Sequence, residues 1–83
     1  MQIMIKDFQT VNTFCKGIEF FEGDIDITQR REKSGNIQKV NGRSFLGICS
    51  LDLSRPVDVV ISTTNKGVEE DFYNYLRKWE VVD

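Results

Sequence analysis

The sequence predicts an α+β fold, an open-faced β-sandwich in which helices cover one face of a four-stranded antiparallel sheet. Three observations predict it. The hydrophobic period switches repeatedly between two and about 3.6 residues, giving the order strand, helix, strand, strand, helix, strand, helix. Every predicted strand is apolar on one side only, so the sheet has one covered and one wet face. The chain has 83 residues, enough for a single domain, residues 1–83, with one modest core, but too few for a deep cleft between lobes.

The first strand spans Met1 to Lys6, with Ile3 and Ile5 on one face and Met4 and Lys6 on the other. Asp7 then caps a helix from Phe8 to Phe21, whose Phe8, Val11, Phe14, Cys15, Ile18 and Phe21 follow helical spacing. Gly17, inside that helix, marks a close contact rather than a break. Gly23 ends the element, and Asp24 to Thr28 alternates as a second strand with Ile25 and Ile27 inward. The polar stretch Gln29 to Asn36 holds the turn Ser34-Gly35-Asn36 and joins the second strand to a short third one, Ile37 to Val40, as a hairpin.

Asn41-Gly42 closes the third strand. Ser44 caps a short helix, Phe45 to about Leu51, with Ile48 and Leu51 on one side and Phe45, Leu46 and Cys49 on the other. Pro56 opens a fourth strand, where its missing N–H does least harm, and Val57, Val59 and Ile61 face inward. Asn65 or Thr64 caps a last helix carrying Val68, Phe72, Tyr75, Leu76 and Trp79 in register.

Composition removes several kinds of chemistry. The chain contains no histidine and carries a formal charge of −2, which excludes Ser-His-Asp and Cys-His mechanisms and calls for no polyanionic partner. Two cysteines, Cys15 and Cys49, stand far apart in sequence and within apolar patterns. They read as reduced side chains in or near the core, Cys49 being the candidate reactive thiol, and no metal or other cofactor is implied. No apolar run is long enough to cross a bilayer, and no signal segment is visible, so a cytoplasmic location is expected.

The run Asn41-Gly42-Arg43-Ser44-Phe45-Leu46-Gly47-Ile48-Cys49-Ser50-Leu51-Asp52-Leu53, with the element order and length, resembles HPr. HPr is the small phosphocarrier of the bacterial phosphoenolpyruvate-dependent sugar phosphotransferase system. The pattern Ser44-x-x-Gly47-Ile48-x-Ser50-Leu51-x-Leu53 is the most specific part. It is similar in particular to divergent clostridial HPr-like proteins.

The resemblance implies a loop after the first strand with a phosphate-accepting histidine, then arginine and proline, at the start of the first helix. Here that loop is missing, and Asp7 caps the helix at the lost histidine site. A capping carboxylate occupies the free N–H groups and adds negative charge, so it repels a phosphate. Histidine phosphotransfer is excluded, no enzymatic activity is expected, and an acyl phosphate on Asp7 lacks supporting groups beyond Lys6.

The resemblance also places Ser44 at a regulatory phosphorylation position, with Arg43 and Lys39 as phosphate partners, against a plain capping role. It further implies a partner surface at Phe45, Leu46 and Cys49. The expected partner is a phosphotransferase-system enzyme, a kinase or a transcriptional regulator; a homodimer contact is the other use of such a surface. The rival function is a small nucleic-acid-binding domain using the basic hairpin from Arg30 to Arg43, which includes Arg31, Lys33 and Lys39. Asp24, Asp26 and Glu32 flank that cluster and no aromatic residue interleaves it, so a solvated hairpin is the preferred reading. Asp24, Asp26 and Asp58 are read as the wet face of the sheet rather than as a cation site.

Overall fold

A computed structural model describes residues 1–81. It contains β1 (Gln2–Ile3), α1 (Phe8–Gly17), β2 (Asp24–Arg30), β3 (Ile37–Asn41), α2 (Phe45–Cys49), β4 (Val57–Ser62) and α3 (Lys66–Leu76). The strands form one antiparallel sheet in the order β1-β4-β2-β3. This is the α+β, open-sheet architecture expected, with element order retained.

The register explains the two faces. Ile25 pairs with Ile61, and Ile27 with both Val59 and Val40, which aligns apolar side chains in cross-strand rows. One residue along, Asp26 pairs with Val60 and Thr28 with Asp58, forming the wet face. Val11, Phe14 and Ile18 from the first helical segment, Ile48 and Leu51 from the second, and Phe72 and Leu76 from α3 are buried over the apolar face.

Three local departures from the expected elements have clear causes. The first helix stops at Gly17 and tightens to a 3-10 turn, Ile18–Phe20, instead of running to Phe21. Phe21 instead leaves the helix and packs edge-on against Phe72 at 5.5 Å between ring centroids. Phe8, expected inward, is 66% exposed. It lies about 120° round the helix from Phe14, beyond the buried stripe.

Gly17 has a packing role. A Cβ there would stand 1.9 Å from Tyr75 Oη, and that hydroxyl donates to Thr13 O at 3.1 Å. The first helix and α3 therefore meet across a bare backbone patch. Gly23 has φ 130° and a Cβ there would sit 2.7 Å from Ser62 O, so only glycine makes this turn without strain.

β1 is shorter than expected, and chain segments beyond it complete its backbone pairing. Met4 N–H donates to Trp79 O at 2.9 Å, and Val81 N–H to Gln2 O at 3.0 Å. Where β1 runs out beside β4, the Tyr73 hydroxyl accepts the Ile61 N–H at 3.3 Å.

β2 extends past Thr28 and carries Gln29 into the buried layer, where the sequence predicts a polar turn. Its Nε2 donates to Asp52 O at 2.8 Å, and its Oε1 accepts the Asp52 N–H at 2.8 Å. Nε2 also lies 3.3 Å from Pro56 O. Gln29 thus pins the loop between α2 and β4 to the sheet. Gln29→Leu keeps the volume but strands these backbone groups, and is expected to destabilise by about 1–3 kcal/mol. Urea denaturation with an unchanged m-value checks this; a loss near zero would show that the loop finds other partners.

Candidate functional site

The segment from Asn41 to Leu51 is built around a turn and two caps. Gly42 N–H donates to Ile25 O at 2.7 Å, and the Asn41 side chain accepts the Arg43 N–H at 2.9 Å. Ser44 has extended backbone and its Oγ accepts the Gly47 N–H at 3.1 Å, making it the expected N-cap of α2. Ser50 Oγ donates to Gly47 O at 2.6 Å and closes the other end. Gly47 fits because even a Cβ would lie 3.1 Å from Ser44 Oγ.

Arg43 does what the sequence did not suggest. Its Nη1 donates to Ile18 O at 3.1 Å, and its Nη2 to Phe21 O at 2.5 Å and Gly23 O at 2.9 Å. One guanidinium therefore binds three carbonyls where the first helix ends, the place a helix dipole favours a cation. Lys39 pairs with Asp26 at 3.6 Å. Both side chains assigned to a Ser44 phosphate are thus engaged elsewhere.

The predicted partner surface divides. Leu46 is 81% exposed and Phe45 41% exposed, whereas Cys49 is only half-exposed and packs against the core. Phe20 in the 3-10 turn, absent from the sequence reading of the site, is 87% exposed. Arg43 ties that turn to the start of α2, so Phe20, Phe45 and Leu46 belong to one end of the helical layer. The signal for Phe20 was its place outside the apolar stripe of the first helix.

Asp7 is the N-cap of α1. Its Oδ1 accepts both the Thr10 N–H and the Thr10 hydroxyl at 2.8 Å. These bonds from Thr10 hold its carboxyl below the ordinary aspartate value, with Lys6 adding a smaller effect. The N–H groups at this end of the helix are already turned toward a carboxylate.

Several other charges have partners within the fold. Arg30 Nη1 donates to Gly35 O at 2.9 Å across the hairpin turn. Arg55 pairs with Asp52 at 3.0 Å and with Glu32 at 3.8 Å. On the wet face, Asp58 accepts the Met1 amino group at 3.2 Å. Among the described residues no group of three His, Cys, Asp or Glu side chains is placed to hold a metal ion. Among them also, no helix is long and apolar enough to cross a membrane.

Comparison with family models, with curated proteins and with solved structures finds no match to this chain.

Two outcomes test this geometry. Arg43→Met removes the guanidinium and leaves the Ile18, Phe21 and Gly23 carbonyls without it, at an expected cost of about 1.5–3 kcal/mol in urea denaturation. Asp7 contributes stability that is complete above the unfolded aspartate value and disappears as pH falls through its lowered folded value. The urea midpoint of Asp7→Asn, which keeps a cap without a charge, should therefore fall less than wild type between about pH 6 and about pH 2. Equal slopes would show that the cap is not what stabilises the ionised form.

Proposed function

We propose that this chain is an HPr-like domain that acts by binding a protein partner through the α2 end of its helical layer, without carrying phosphate on histidine. The observation that carries the reading is the exposure of Leu46 and Phe45 on a short helix fixed at both ends. Large apolar side chains on a rigid element lose little entropy when buried, which makes them effective anchors. The Ser44 to Leu53 pattern and the arrangement of helices over one sheet face support the HPr resemblance, and through it a partner from the sugar phosphotransferase system or its regulation.

The proposal gives Ser44 the capping role first. A phosphate on its Oγ would displace the Gly47 N–H bond geometry, while Arg43 and Lys39 already hold other partners. Regulation by phosphorylation at Ser44 therefore requires Arg43 to release the Ile18, Phe21 and Gly23 carbonyls.

The test is binding of the purified chain to phosphotransferase-system enzymes and regulators, measured by calorimetry. Leu46→Asp should weaken binding at least about tenfold, roughly 1.4 kcal/mol, while circular dichroism stays unchanged. Arg30→Glu with Arg31→Glu should leave affinity intact. If the charge reversals abolish binding to single-stranded nucleic acid and Leu46→Asp changes no protein contact, the basic-hairpin reading replaces this one.

A further inference from the structure

Cys15 and Cys49 are both free and both half-buried. Their helices run side by side, with Cα atoms of the two within 8 Å. The direction follows from Arg43, which precedes α2 and is bonded where the first helix ends. α2 therefore runs back along α1. Going back three residues from Ile18 reaches Cys15, and going forward four from Phe45 reaches Cys49, so the two stand at similar heights.

The rotation about each helix agrees. Gly17 and Thr13 meet Tyr75 on the α3 side of α1. Cys15 is two residues from Gly17, about 200° round at 3.6 residues per turn, which turns it to the opposite flank, toward α2. On α2, Ile48 points into the core. Cys49 follows about 100° further round, and on a helix antiparallel to α1 that flank faces α1.

We propose that Cys15 and Cys49 form a reversible intramolecular disulfide across the α1–α2 seam, which makes this helix pair a thiol–disulfide modification site. The inference is independent of the partner-binding reading. The co-reactant is a small-molecule disulfide such as oxidised glutathione. One protein thiolate attacks a glutathione sulfur, breaks its S–S bond and expels one glutathione thiolate, leaving a mixed disulfide. The second protein thiol gives its proton to water, attacks the protein-side sulfur and expels the second glutathione thiolate. Two protein thiols are oxidised and one glutathione disulfide is reduced to two thiols.

Burial, then the neighbouring Cys49 and Glu19, push the Cys15 thiol up. It therefore stays protonated longer, which disfavours Cys15 as the first nucleophile. The two helices approach within 8 Å between Cα atoms, and a disulfide closes at Cα separations of roughly 4.4–6.8 Å, so the bridge requires the two cysteines to sit at the near end of that range.

The experiment is incubation of the folded full chain with oxidised glutathione at mildly alkaline pH, followed by intact mass, thiol counting and peptide mapping. The expected product is a monomer lighter by two hydrogen atoms, with no glutathione adduct, no free thiol and a Cys15–Cys49 peptide pair, restored by dithiothreitol. It should form at least about tenfold faster in the folded chain than in urea, because the fold holds the thiols together. Cys15→Ser should stop at the Cys49 mixed disulfide. A lasting glutathione adduct on wild type, a disulfide-linked dimer, or two unreacted thiols in the folded chain would each overturn the proposal.

Discussion

The guanidinium of Arg43 is the constraint on which the α2 end of this protein depends. It gathers the carbonyls of Ile18, Phe21 and Gly23, which lie along the short connection between the first helix and β2. A five-residue helix such as α2 is far below the length at which a helix holds itself in water. Its position must come from anchors, and Arg43 supplies the one at its start. Gln29 supplies the other, by holding Asp52 just beyond its end.

These two anchors set a division of labour within α2. Ile48, with Leu51 just beyond the helix, fills the core, and Phe45 and Leu46 are left outward. The same geometry turns Cys49 to the seam with α1 instead of to solvent, because the helix runs antiparallel with its core face already fixed. Exposure at one end and close thiol approach at the other are thus two consequences of one placement.

Most of the fold was legible in the sequence because it rests on periodicity. Ile25, Ile27, Val57, Val59 and Ile61 alternate and are buried as their pattern requires, and Asp7, Ser44 and Asn65 cap the helices they precede. Even Gly17 could be read as a close contact, although its partner Tyr75 lies too far along the chain to be named. What escaped were polar side chains whose partners are backbone groups distant in sequence. Gln29 continues the alternation of Ile25 and Ile27, yet its amide chemistry suggested a turn. Arg43 looked like a surface cation because carbonyls carry no sequence signature. Cys49 fell on the outward side of a local helical wheel, which cannot show that another helix packs there.

The placement of charge bears on which surface has binding energy to give. At the start of α1, the Asp7 carboxylate already takes the Thr10 N–H, so an anion arriving there meets repulsion and an occupied donor. On the wet face and the hairpin, Lys39, Arg30 and Arg55 are held by Asp26, Gly35 O and the pair Asp52 and Glu32. A ligand using these cations must break contacts of similar strength to those it makes, so the net gain is small. Phe20, Phe45 and Leu46 have no such exchange to make. Water is all that leaves when they are covered, and under the proposed reading that asymmetry favours the α2 end as the docking surface.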